Sequence, residues 1–348
     1  MEPPPGLLVL GGQSTKGQLT SIETFGFENC TIPSLPETRY DFGTFITPTQ
    51  LPQLAACGGW WMGKPNSTDC LTLNVTSAQW ERGTFNNGLL GNGVRGVISI
   101  EEQGVFVVHS TFMSILANSS KTWVAGPVFP IPAECGCKLS STRFVTIHMS
   151  DEHDVRGYSV TNGAAEPEAE DSWPKLVTKR RGPGCGATMD HLIVAGGVSG
   201  WDKVLTSVEV FHIESKALRK GGNLRQPRAF FKIIPIGSKH PRLLAIGGQN
   251  ETSTLDTSEW WEEEDNKWEE GPTLSTRRSN FGAIMAPPHL VCSEKTPPAH
   301  SCPLIENNQT CFFPTKPSGT VLYDNSCNSL SPQIITIQST VYYCVFRL

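Results

Sequence analysis

Four times in this chain an apolar run of strand length ends in a glycine pair: LLVLGGQ at 7–13, LAACGGW at 54–60, LIVAGGV at 192–198 and LLAIGGQ at 243–249. The leading glycines are Gly11, Gly58, Gly196 and Gly247. The outer gaps are 47 and 51 residues, and the middle gap of 138 is close to three such periods. A period of this size marks a repeat architecture, in which each unit buries its apolar faces against its neighbours. No helical pattern follows the pairs, so no helix N-terminus is at hand to hold an anion. The pairs read as strand ends and not as phosphate loops.

Between the pairs the order of features is constant. A polar loop comes first, then a short alternating run such as SIETFGF at 21–27, CLTLNV at 70–75, SVEVFHI at 207–213 or SEWWEEE at 258–264. Alternation over this length predicts a half-buried strand. A turn and a tryptophan follow, at Trp80, Trp123, Trp173 and Trp268, and then an arginine ahead of a small-residue strand, at Arg39, Arg228 and Arg277-Arg278. The unit is four antiparallel strands.

This combination of glycine pair, spaced tryptophan and pre-strand arginine resembles the kelch repeat, over roughly 6–288. The resemblance implies an all-β, six-bladed kelch-type β-propeller with four strands per blade. The matches are fullest in blades 1, 2, 5 and 6. Blades 3 and 4 are degenerate, with Val108-His109 and His148-Met149 where glycine pairs belong. The chain opens on a second strand, and RRSNFGAIMAP at 277–287 reads as a first strand. The C-terminal strand is therefore expected to complete blade 1 and leave no open edge. Residues 289–348 form a second segment, poor in charge and holding five of the 11 cysteines. A poorly ordered disulfide-bonded tail and a translation past the natural end both fit it.

Cys57 and Cys70 flank one hairpin and are expected to be bridged, since facing strand positions bring Cα atoms close enough. Cys185 opens the first strand of blade 5 and Cys135 and Cys137 hold the like position in blade 4, so one of the two is expected to pair with Cys185. Cys30 has no evident partner. The Cys135-Gly136-Cys137 spacing lacks a second paired cluster, so zinc is not expected. Six N-x-S/T sequons, at Asn29, Asn66, Asn74, Asn118, Asn250 and Asn308, join the cysteines in pointing to an extracellular protein whose signal peptide is missing from this sequence. A cytoplasmic protein with reduced thiols is the alternative. The net charge of −5 excludes nucleic acid as the main partner, and no apolar segment reaches the length of a membrane helix.

Galactose oxidase carries a propeller of this kind, and its relatives hold copper with tyrosine and histidine. Of five tyrosines here, three fall after 289, and Tyr40 and Tyr158 have no neighbouring histidine. HMSDEHD at 148–154 fails the H-x-x-E-H pattern by one residue and reads as a solvated inter-strand loop. EWWEEEDNKWEE at 259–270 reads as one packed tryptophan with acids covering a turn. No metal, cofactor or catalytic residue is expected. The expected function is a non-catalytic module that binds a protein, or a glycan, through the loops of one face. That face would collect Trp60, Trp61 and Trp201 with Arg39, Arg181, Arg228, Arg277 and Arg278, and tryptophan and arginine dominate binding hot spots. The competing reading of the arginines is structural, as partners of a neighbouring blade. Two other functional classes remain: a carbohydrate-active or oxidase-like enzyme, and the substrate-recognition propeller of a ubiquitin-ligase adaptor, although no upstream dimerisation domain precedes the repeats.

Overall fold

The computed structural model describes residues 6–27, 32–60, 69–83, 93–118, 120, 122–149, 155–169, 172–237 and 240–292, and the backbone of 333–337 and 340–344. The chain divides into two units, Met1–Ser293 and Glu294–Leu348. In the second, Gln333–Ile337 and Thr340–Cys344 pair as an antiparallel hairpin. No helix among the described residues is long and apolar enough to cross a membrane.

The first unit is a six-bladed propeller. Blade 2 runs Gly43–Ile46, Leu54–Cys57, Cys70–Asn74 and Gln79–Arg82 from axis to rim. Blade 3 is Val94–Ile100, Gly104–His109, Phe112–Ala117 and Val124–Val128, and blade 4 is Ala133–Lys138, Arg143–His148, Val155–Thr161 and Ala164–Pro167. Blade 5 is Gly184–Ala187, His191–Ala195, Val208–His212 and Leu218–Lys220, and blade 6 is Lys232–Ile236, Arg242–Ile246, Ser258–Glu262 and Lys267–Glu270. Blade 1 joins the two ends of the repeat. Gly282–Met285 pairs with Leu7–Leu10 in the register Leu7↔Met285 to Leu10↔Gly282, and Leu7–Leu10 pairs in turn with Ile22–Phe25. The ring is closed as the sequence implies, with three strands of blade 1 among the described residues.

The burial pattern follows from the stacking. Second strands lie between two neighbouring blades, so Leu54–Cys57 and Gly104–His109 are buried at every position. Outer strands face water on one side, as Gln79–Arg82 does. The apolar core is correspondingly divided into six main clusters, one per blade junction. Trp123 fills the junction of blades 2 and 3 against Phe45, and Trp268 that of blades 5 and 6 against Trp261. Trp173 differs from the expectation. It lies in the linker after the outer strand of blade 4 and packs between blades 4 and 5. Both Trp260 and Trp261 are buried, not one of them.

Both expected disulfides form. Cys57 and Cys70 face each other in register with Cα atoms 4.1 Å apart. Cys135 and not Cys137 pairs with Cys185, joining the innermost strands of blades 4 and 5. Cys137 is a buried free thiol whose pKa burial pushes up to about 12. Cys30, Cys302, Cys311 and Cys327 lie outside the described residues.

The glycine pairs have two separate tasks. At Gly248, φ is +95° and a Cβ would sit 2.7 Å from the Ala229 carbonyl oxygen, so only glycine fits. Its N–H donates to the Arg278 carbonyl at the start of the next blade (2.9 Å), as Gly12 does to Arg39 and Gly197 to Arg228. The first glycine of each pair turns its carbonyl towards the pre-strand arginine of its own blade. Where blade 4 lacks the pair it lacks the arginine too, and His148 bonds the Ile131 carbonyl (2.8 Å) and Thr146 instead (2.7 Å).

Candidate functional site

Loops leaving second strands and loops entering first strands emerge on the same face. The arginines expected to be displayed there divide into two groups. Arg39, Arg228 and Arg278 are fully buried, as is Arg180. Arg228 donates to the carbonyls of Gly247 (2.8 Å) and Thr257 (3.1 Å) and pairs with Glu259 (2.6 Å), which is itself buried. Arg278 makes the same contacts to Gly11, Ser21 and Glu23, and Arg180 to Gly196, Ser207 and Glu209. The acids then accept two backbone N–H bonds each from the linker just upstream: Glu209 from Val177 and Thr178, Glu259 from Arg225 and Gln226, Glu23 from Ser275 and Thr276. Blade 2 has Leu71 where the acid belongs, and Arg39 pairs with Glu37 and Asp69. These arginines stitch linker, second strand and third strand together and are not available to a partner. Burial lowers their pKa values, and the paired acids raise them back in part.

Arg181 and Arg277, each beside a buried arginine, are the exposed ones. Arg277 holds Asp256 (3.1 Å), and Arg181 lies 5.9 Å from the Phe230 ring centroid. Trp60 is half-buried and stacked on Tyr40. Trp61 lies outside the described residues. Trp201 is 95% exposed at the tip of the hairpin Val198–Ser199 and Lys203–Val204. That hairpin is anchored at its base by paired backbone bonds between Val198 and Arg181 and by Glu251 of blade 6 accepting from the Val204 N–H. Of the sequons, Asn74, Asn118 and Asn250 are described. Asn250 accepts from the N–H groups of Thr252 and Ser253 in a tight turn, and Asn118 is exposed. Asn29, Asn66 and Asn308 lie outside the described residues, as do residues 150–154 of HMSDEHD. His148 is buried at a strand end and is not a solvated loop residue. Among the described residues no cluster of three or more His, Cys, Asp or Glu side chains has the arrangement of a metal site.

At the centre of this face the blades are tied in a chain of hydrogen bonds. The Val94 N–H donates to the Asp41 carbonyl (3.0 Å), Asp41 to Asn280 (2.9 Å), Asn280 to Phe230 (3.0 Å) and Phe230 to Gly182 (2.8 Å). The Gly182 N–H ends the chain on the Glu134 carboxylate (2.7 Å), which stands where blade 4 has no carbonyl to offer. Asp41, Gly182, Phe230 and Asn280 all take φ between +53° and +60°. Asp, Asn and Gly accept that conformation readily, and Phe230 does not. The chain encircles the axial mouth, a depression of about 30 Å³ partly open to solvent and lined by all six blades. Asp41, Arg95, Glu134 and Lys232 line it.

Burial raises the pKa of Asp41, with Arg95 and Lys232 opposing it, and raises that of Glu134, with the Gly182 N–H opposing. Burial lowers that of Lys232. A carboxylate whose folded pKa is raised stabilises the fold most when protonated, and that contribution is lost as pH rises through the folded value. Asn is isosteric and accepts φ +53°. Asp41→Asn should therefore melt at or above the wild-type temperature at pH 7. The gap should close at about pH 3, below the ordinary carboxylate range. Thermal melts at the two pH values check this.

The sequence carries one unread signal for the buried set. A Ser or Thr two residues ahead of a Glu recurs at Ser21–Glu23, Ser207–Glu209 and Thr257–Glu259, in the blades whose arginines need an acid. The mouth has no such signal, because it draws single residues from distant segments.

No family model matches the chain. Two curated relatives from Caenorhabditis elegans do over 98 residues. Kelch repeat-containing protein kel-10 is 33% identical and Kelch repeat and BTB domain-containing protein F47D12.7 is 31% identical. Each match covers 28% of this chain and 17% of the relative, so the chain matches less than a fifth of either protein's length. Among solved structures, YjhT aligns with a TM-score of 0.55 at 14% identity, covering 78% of this chain and 98% of that one, a likeness of fold. The repeat signature and the ring of blades agree with these partial matches, and together they support a kelch-repeat type of β-propeller for this chain.

Proposed function

We propose that this chain is a non-catalytic protein-binding module whose partner docks on the loop face, with Trp201 as its anchor, Arg181 beside it and Trp60 across the ring on blade 2. The observation that carries this reading is Trp201. A tryptophan 95% exposed on a hairpin fixed at its base presents a large apolar surface at little ordering cost. The exposed position is of no use to the fold. Two disulfides favour an oxidising compartment, and with the sequons they support an extracellular setting.

A displayed library of extracellular proteins selected on the immobilised chain supplies the test. Dissociation constants of the recovered binders are compared on wild type, Trp201→Ala and Leu51→Ala. Leu51 is 82% exposed in the loop between the first two strands of blade 2, on the opposite face. Loss of a hot-spot tryptophan costs about 2 kcal/mol or more, roughly 30-fold in Kd. Trp201→Ala should show that loss and Leu51→Ala should stay within about 3-fold. The reverse pattern places the interface on the other face and ends this reading.

A further inference from the structure

We propose that the axial mouth is a binding site for a small zwitterion, an α-amino acid held by its carboxylate and its ammonium. Charge arrangement carries the inference. Around the axis the ionisable groups alternate in sign from blade to blade: Asp41 on blade 2, Arg95 on blade 3, Glu134 on blade 4 and Lys232 on blade 6. They influence one another electrostatically, yet among the described residues none of the four forms an ion pair. Each is held at the wall of one depression and kept apart from its opposites. The Glu134 carboxylate is already engaged by the Gly182 N–H. Arg95 keeps a buried Nε with no hydrogen-bond partner, and the Lys232 ammonium has none among the described residues.

Burying charged groups without partners costs the fold, and perturbed groups gathered in a cleft are the physical mark of a site. The ligand's chemistry follows from the two signs. A simple anion satisfies Arg95 and Lys232 but is repelled by Asp41. A simple cation meets the opposite problem. A molecule with carboxylate and ammonium on one carbon answers both, its carboxylate towards Arg95 and Lys232 and its ammonium towards Asp41. This site is separate from the Trp201 hairpin and goes beyond partner docking.

Isothermal titration and thermal shift on the whole chain test it. Glycine, L-alanine and L-leucine are the probes, with isoamylamine and 4-methylpentanoate as leucine's skeleton lacking one charge each. At least one amino acid should bind with a Kd of about 1 mM or tighter and raise the melting temperature. Each single-charge analogue should bind about 10-fold more weakly, and Asp41→Asn and Lys232→Met should each weaken binding by about 10-fold. Both variants keep the steric outline of the residue and should fold, as far-UV circular dichroism will show. Trp201→Ala should bind the amino acid as wild type does, which separates this site from the docking surface. The proposal is overturned if none of the three amino acids binds at about 10 mM. It is equally overturned if an analogue matches its amino acid, or if the folded Asp41→Asn and Lys232→Met proteins bind like wild type.

Discussion

Arg228→Met should cost about 3–5 kcal/mol of stability, a large part of what holds a domain together. The substitution keeps the apolar stem and removes the guanidinium. Glu259 is then left buried with its negative charge answered only by two linker N–H groups. The carbonyls of Gly247 and Thr257 lose their donor as well. Removing one partner of a buried pair leaves the full desolvation cost of the other, which makes the loss larger than the net worth of the pair. The double variant Arg228→Met/Glu259→Gln should recover part of the loss, because the stranded charge is gone. Arg277→Ala is the control. Arg277 is exposed and holds only Asp256, so its change should stay within about 0.5 kcal/mol. Urea unfolding followed by tryptophan fluorescence measures all three. Equal midpoints for Arg228→Met and Arg277→Ala would contradict the structural role.

That contrast marks where the sequence is legible. Glycine pairs, alternating strands and the closing strand at 282–285 report local needs of the backbone, and local needs are written where they act. The hairpin bridge of Cys57 and Cys70 is of the same kind. An arginine's burial is not local. It depends on an acid 29 residues away for Arg180 and 31 for Arg228, and on a linker that the acid must also hold. The doubled arginines 180–181 and 277–278 added a slip of one position. In all four blades the buried arginine stands two residues ahead of the left-handed residue, at Asp41, Gly182, Phe230 and Asn280. By that rule Arg180 and Arg278 are structural, and Arg181 and Arg277 face solvent. The axial mouth is the least legible feature. Asp41, Arg95, Glu134 and Lys232 meet only because six separate strands begin on one circle.

The second large effect concerns the junction of blades 4 and 5. Junctions 5 to 6, 6 to 1 and 1 to 2 each have a glycine N–H donating to the next blade's arginine carbonyl. At junction 4 to 5 no such bond exists among the described residues, because blade 4 ends its second strand in His148-Met149 and Met149 donates within its own blade to Pro132. The Cys135–Cys185 bridge stands at this junction, across innermost strands 50 residues apart in sequence. Closing a loop of that length is worth about 4 kcal/mol in restricted unfolded-chain entropy, against about 3 kcal/mol for the 13-residue span of Cys57–Cys70. Cys135→Ala/Cys185→Ala should therefore lower the urea midpoint more than Cys57→Ala/Cys70→Ala, without changing the blades themselves. Cys137 should not substitute for Cys135, since its thiol is buried and burial raises its pKa to about 12, leaving almost no thiolate to react. Reducing the wild-type protein should produce a loss at least as large as the first double variant's. A midpoint unmoved by either treatment would mean that packing alone, through Trp173 and its neighbours, holds blade 5 against blade 4.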